Sequence, residues 1–235
     1  MKIFLDAGHN YSEYDTGASG LGLKEQDITW AIAQKCGDIL YKNGIEVKFS
    51  RPNLSDDLGV NLSSSLSART EMSNNWGSDY FVSIHCNAGG GTGTETWIYE
   101  TGTVAEKLAQ VIDKKIVAKL GLRDRGIKTS KSLYVLKNTN CPSVLVETAF
   151  IDTLYDNELL KNKQGDFASA IAEGIIEYTN WNGIEKQTNE EVKTVEEALK
   201  KLQDKGVINS PDYWANAVQV VKYLDELLIN MANKL

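Results

Sequence analysis

Between residues 2 and 181, short apolar runs alternate with stretches of helical period, and that alternation confines the chain to a strand–helix–strand architecture. Residues 2–5, 45–49, 80–84, 94–99, 133–136 and 143–150 read as strands. Over residues 24–43, Ile28, Ile32, Cys36, Ile39 and Leu40 fall on one stripe, and Asn43-Gly44 supplies the stop. Residues 103–120 repeat the pattern with Leu108, Val111, Ile112, Ile116 and Leu120. Further helices are expected near 67–76 and 166–181, and the Ser/Asn/Asp-rich stretch 53–65 reads as a surface loop. The Val-rich run 143–150 suits a central strand buried on both faces. The expected fold is α/β: a mostly parallel twisted sheet flanked by helices, with ligand sites at the carboxyl ends of its strands.

Residues 1–181 are expected to form one catalytic-sized domain. Residues 182–193 are polar, lack an apolar period, and read as a linker. Residues 194–235 read as a small helical module, amphipathic over 195–205 and 215–235, with a helix start at Ser210-Pro211. The stretch of about fifty residues beyond Trp181 is marginal for a core of its own. It is expected to pack on the first domain, on another chain, or on a copy of itself as a homodimer.

An apolar fraction of 42% and a charged fraction of 24% exclude a disordered chain. The net charge of −7 argues against non-specific nucleic-acid binding, which needs clustered Lys and Arg. It gives no pull toward anionic membranes. Cys36, Cys86 and Cys141 are widely spaced and form no CxxC pair, so reduced thiols are expected. The start MKIFLDAGHN is too short and too early broken by Asp6 for a secretory signal, and no stretch has the length of a membrane span. The expectation is synthesis in the cytoplasm, no membrane insertion, and action outside only after release.

The chain has two histidines, His9 and His85, each just past the end of an expected strand. Strand ends of a parallel sheet face one edge, so the two imidazoles can converge. A catalytic zinc takes three protein ligands and keeps a fourth position open. Glu25, opening the first helix, is the best third ligand, held in addition by the helix N-terminus. Taken by itself it reads more readily as a capping carboxylate. Glu13 and Asp15 are nearer to His9 but lie in loop. Glu147 interrupts the apolar run Val144-Leu145-Val146-Glu147-Thr148-Ala149-Phe150. Burial raises a carboxyl pKa, which suits general acid–base chemistry. The alternative is a structural glutamate paired with Arg69 or Arg125. Cys86 sits beside His85, but neighbours on a strand point to opposite faces. Gly17, Gly20 and Gly22 do not match GxGxxG, and Gly89-Gly90-Gly91 lacks the Lys of a phosphate loop. Trp97, Tyr99 and Tyr134 suit a groove or a core.

The runs DAGHN at 6–10, DTGASGLGLKE at 15–25, SIHCNA at 83–88, GTETWIY at 93–99 and PSVLVETAFID at 142–152 resemble the zinc-dependent N-acetylmuramoyl-L-alanine amidases of the amidase-3 type. The resemblance covers about residues 1–181, with the motifs in family order. It implies a Zn2+ cofactor held by His9, Glu25 and His85, Glu147 as catalytic acid/base, and peptidoglycan as partner. The reaction implied is cleavage of the amide between the lactyl group of N-acetylmuramic acid and L-alanine of the stem peptide. The stretch 198–235 resembles helical appendages on wall hydrolases of clostridia, bacilli and their phages, which implies a wall-binding or dimerisation module. With no signal peptide recognised, a phage or prophage endolysin of a clostridial or bacillus-type host is the expected setting, and a spore-associated lysin would look the same. Two other readings stand beside it: a metal-dependent peptidase or amidohydrolase on a small substrate, and a non-catalytic wall-binding module on a decayed hydrolase fold. Intact candidates at all four positions argue against the last.

Overall fold

The run 143–150, expected as a central strand, lies in the interior of a six-stranded sheet. The computed structural model describes residues 1–12, 14–190, 194–208, 214, 228, 229, 231 and 232. In chain order the elements are β1 (Lys2–Ala7), β2 (Ser19–Gly20), β3 (Leu23–Lys24), α1 (Glu25–Lys42), β4 (Glu46–Phe49), α2 (Leu62–Trp76), β5 (Tyr80–Asn87), β6 (Thr94–Ile98), α3 (Val104–Leu120), β7 (Asp124–Thr129), α4 (Tyr134–Asn138), β8 (Ser143–Phe150), α5 (Leu154–Asn162), α6 (Gln164–Glu190) and α7 (Val195–Asp204). The sheet order is β4-β1-β5-β8-β6-β7, while β2 and β3 form a separate antiparallel hairpin. Neighbours in the large sheet are parallel except β6 and β8, which run antiparallel.

Alternation along the strands builds two apolar layers. Ile3, Leu5, Val82, Ile84, Val144 and Val146 face the stripe of α1 and the inner faces of α3 and α6, where Ile32, Ile112 and Ile171 are fully buried. Phe4, Phe81 and Leu145 point the other way, onto Leu66, Met72 and Trp76 of α2 and Val135 and Leu136 of α4. Burying each such side chain is worth about 1.5–3 kcal/mol, and covering both faces explains why the strands read as nearly continuous apolar runs. β4 lies on one side of β1 and β5 on the other, so the winding reverses at β1 and opens a crevice beyond its carboxyl end.

Several boundaries differ from the sequence expectation. Residues 133–136 are not a strand; residues 134–138 form α4. Thr139 Oγ1 and Asn138 Nδ2 donate back to the carbonyls of Val135 and Tyr134, closing a short helical turn. α2 begins at Leu62, inside the stretch read as loop, because Asn61 and Ser64 form a reciprocal cap. β7 and α5 were not expected; β7 carries Gly126 and three charged residues on the sheet's edge, a composition that hides a strand. α6 continues to Glu190, through most of the segment read as a linker. No proline interrupts residues 164–190.

The chain divides into two compact units, Met1–Tyr178 and Thr179–Leu235. In the second, Thr194 and Glu197 cap α7 reciprocally at 3.2 Å each way. Ala198, Leu199 and Leu202 are buried with Ile208, Leu228 and Ala232 in an apolar cluster of this unit. The helix expected over 215–235 lies mostly outside the described residues, as does its Ser210-Pro211 start; Leu228, Ile229, Met231 and Ala232 are helical. Among the described residues no helix is long and apolar enough to cross a membrane.

Candidate active site

His9, Glu25 and His85 meet at the crevice beyond β1. β1 ends at Ala7, so the turn at Gly8 and His9 projects the first imidazole past the sheet edge. β5 runs to Asn87 and carries the second from inside the strand. Glu25 is the first residue of α1. His9 Nε2 lies 3.0 Å from Glu25 Oε1, His85 Nδ1 lies 3.1 Å from the same oxygen, and the two ring nitrogens are 3.0 Å apart. The imidazoles stand edge to face, 80° between planes. Three donors at such spacing nearly match the edge of about 3.3 Å expected for a tetrahedral ion with bonds of 2.0–2.1 Å. Two nitrogens and one carboxylate oxygen are a donor set that suits zinc.

The surroundings fix each donor. Glu25 is held by the amides of Ala18 (2.7 Å to Oε2) and Cys86 (2.9 Å to Oε1), not by its own helix N-terminus as the sequence suggested. A Cβ at Gly8 would sit 2.5 Å from the His85 ring, and one at Gly17 would sit 2.6 Å from both Glu25 Oε2 and the His9 ring. Glycine at those places lets the rings and the carboxylate close up. His9 itself has φ 71°, a left-handed conformation that costs a non-glycine residue about 1 kcal/mol or more. Its turn is pinned because Gly8 O accepts from Thr29 Oγ1 (2.8 Å) and from Arg51 Nη2 (3.2 Å). Arg51 is fully buried and spends its donors on backbone carbonyls, including that of Gln26 at 2.7 Å.

Asp15, a lesser ligand candidate in the sequence, does not join the triad. His9 Nδ1–H donates to Asp15 Oδ1 at 2.7 Å, which leaves Nε2 free to face Glu25 and His85. Asp15 Oδ2 accepts from Arg69 Nη2 at 2.6 Å and from Ser65 Oγ at 3.2 Å. Arg69 and Ser65 share one face of α2, so that helix is tied to the centre. Glu13 lies outside the described residues. Sequence reasoning missed Arg51 and the orienting role of Asp15. An arginine on the Ser-rich α2, spaced four residues from Ser65, was the one signal of the network.

The charges follow from these contacts. Burial disfavours a charged His9, but the carboxylates of Asp15 and Glu25 outweigh it and raise its pKa to about 9. Burial also pulls on Glu25, yet its two histidine partners hold it well below the usual carboxylate range. His85 is lowered, chiefly by burial, against the opposing pull of Glu25.

Glu147 stands opposite His85 in the β5–β8 register. The pairing with Arg69 or Arg125 does not form: Arg69 is engaged by Asp15, and Arg125 Nε donates to Glu95 Oε2 at 2.7 Å. Glu147 Oε2 is shut off from solvent and has no hydrogen-bond partner among the described residues. Burial, then the nearby carboxylates of Glu25 and Glu95, push its pKa up to about 8, partly offset by His9. Cys86 is buried, with burial raising its thiol pKa, and Sγ lies 3.6 Å from Thr148 Oγ1. Trp97 and Tyr99 pack against the second core layer, and Tyr99 also lines a cleft with Leu136 and Pro142 that none of the triad residues enters.

Asp152, just ahead of α5, and the first turn of α5 tie down the loops that flank the centre. Asp152 Oδ2 accepts from the amides of Gly89 (2.7 Å) and Gly90 (3.0 Å), and Asp156 Oδ2 from those of Gly93 (2.8 Å) and Phe150 (3.0 Å). Asn157 Nδ2 donates to Gly20 O (3.0 Å) and Ile151 O (2.6 Å).

The sequence pattern of the family described as N-acetylmuramoyl-L-alanine amidase matches residues 3–177. The chain is 37% identical over 206 residues to the sporulation-specific N-acetylmuramoyl-L-alanine amidase of Bacillus subtilis, covering 86% of this chain and 74% of that protein. It is 38% identical over 189 residues to the endolysin of Bacillus phage SPP1, covering 76% of this chain and 66% of that one. Among solved structures, the N-acetylmuramoyl-L-alanine amidase from Clostridium difficile 630 superposes with a TM-score of 0.68 at 32% identity, covering 76% of this chain and 96% of the other.

Proposed function

This chain belongs to the N-acetylmuramoyl-L-alanine amidase family, and on that premise we propose that it is a peptidoglycan hydrolase of zinc-dependent type. It cleaves the amide between the lactyl group of N-acetylmuramic acid and L-alanine of the stem peptide. The observation that carries the reading is the convergence of His9, Glu25 and His85 beside an unpaired Glu147.

His9 Nε2, His85 Nδ1 and Glu25 Oε1 would hold the ion. When bound, zinc supplies Lewis-acid chemistry, polarising a carbonyl and acidifying water. Asp15 keeps the His9 proton on Nδ1, so that Nε2 offers a lone pair. Glu147 takes a proton from water as it attacks the lactyl carbonyl and gives it to the departing alanine nitrogen. A carboxyl group whose pKa burial has moved toward neutrality can do both. The loops at 16–22 and 89–93, fixed by α5, flank the place where a polymer would lie.

The protein would act on the wall after release from the cytoplasm. Residues 194–235 would serve as a module that engages the wall or a second copy. Digesting purified walls tests the central reading: new N-terminal alanine should appear without new reducing sugar, and the active protein should carry zinc by elemental analysis. New reducing ends, or an active protein free of metal, would refute it.

A further inference from the structure

His85, Glu147 and Glu95 lie side by side in register on β5, β8 and β6. Directly paired residues on neighbouring strands face the same side of a sheet, so the three form one row. The next strand continues it irregularly. β7 pairs with β6 at Thr94↔Asp124 and at Thr96↔Ile127, so two residues, Arg125 and Gly126, stand against the single Glu95. That extra residue is a bulge, a device that re-aims a side chain. Gly126 takes φ 75°, which glycine adopts without strain. The bulge lets Arg125 extend the row of functional carboxylates by one strand.

The guanidinium is built in. Nε donates to Glu95 Oε2 at 2.7 Å, the Phe150 ring lies 4.8 Å from Cζ, and Nη1 reaches the Thr92 carbonyl at 3.4 Å. Glu95 is buried and held from its other side by Asn87 Nδ2 at 3.0 Å. Nη2 has no partner among the described residues, and the side chain is 30% exposed. A stacked guanidinium fixed at Nε and open at one edge matches a carboxylate. Glu25, Glu95 and Glu147 share this edge of the sheet and would repel an acidic ligand without such a cation nearby. Strand spacing sets Arg125 about 10 Å from Glu147. An extended peptide covers about 3.3–3.6 Å per residue, and the arginine side chain spans the remainder, which selects the second stem residue.

We propose that Arg125 reads a free carboxylate on the second residue of the stem peptide, a specificity subsite made by the β7 bulge. This rests on the amidase reading of the centre. Two synthetic muramyl peptides, one with that carboxylate free and one with its carboxamide, are compared on the zinc-loaded full chain. The expected result is a kcat/KM about tenfold or more higher on the carboxylate, carried mainly by KM. Arg125→Gln should lose that preference, its kcat/KM on the carboxylate falling to no more than that on the carboxamide, and Arg125→Lys should keep part of it. Equal rates on both peptides with the unaltered protein overturn the subsite without any variant. An equal loss on both peptides in Arg125→Gln, or a lowered zinc content, overturns it in favour of a structural role. If neither peptide is cleaved, the amidase reading falls and the subsite with it.

Discussion

Glu147 carries a buried carboxyl oxygen with no partner among the described residues, and its stability cost is measurable. Its folded pKa of about 8 lies above the ordinary 4.5, so the folded state binds the proton more tightly. Stability is therefore lost as pH rises through that window, and the loss is complete above pH 8. Glu147→Gln should raise the unfolding free energy of the metal-free protein by about 2 kcal/mol at pH 8.5 and leave it unchanged near pH 4. The same variant should keep its zinc and lose turnover by about a hundredfold or more. Near-normal turnover would remove Glu147 from the chemistry. His9 gives the opposite sign for metal. Its proton, held to about pH 9 in the metal-free state, must leave before Nε2 can bind an ion. Zinc affinity should rise about tenfold per pH unit between pH 6 and 8, read by chelator competition. Asp15→Asn should weaken zinc by about ten- to a hundredfold with the fold intact. Unchanged affinity would show that the Asp15–His9 bond does not orient the ligand.

At the scale of elements, α5 works as a clamp whose loss should be felt in the loops. Asn157→Ala leaves the carbonyls of Gly20 and Ile151 without their donor and should cost about 1–3 kcal/mol in a denaturant titration. KM on wall polymer should rise more than kcat falls; an equal change in both would place the loops outside substrate binding. None of α5 was legible beforehand. Its polar first turn faces backbone groups that come from residues far away in the chain, and no local period records that. What could be read were elements whose apolar pattern is local: β1, α1, β4, β5, β6, α3, β8 and the first part of α6, with His9, His85, Glu25 and Glu147 at the ends or breaks of four of them. The short run at 133–136 failed because four apolar residues suit a turn of helix as well as a strand. The loop reading of 53–65 failed because Asn61 and Ser64, typical loop residues, are also typical helix caps. Which arginine would meet which carboxylate depended on the packing of α2 and the bulge of β7, neither of which has a sequence signature.

For the whole molecule, the division near Tyr178 makes a direct prediction. A chain ending after Trp181 should unfold cooperatively, bind one zinc and cleave soluble muramyl peptides at the full-length rate. Loss of zinc in that fragment would make the second unit part of the centre. Sedimentation of the two forms then separates a dimerising tail from a wall-binding one. The three donors also come from the turn after β1, from α1 and from β5, with His85 lying 60 and 76 positions beyond Glu25 and His9. No short stretch of the chain contains the centre. A polypeptide still emerging from synthesis has no grip on an ion until β5 docks beside β1, and no proton carrier until β8 follows. The centre is thus completed only with the folded first unit, and a copy cut short before β8 would lack it.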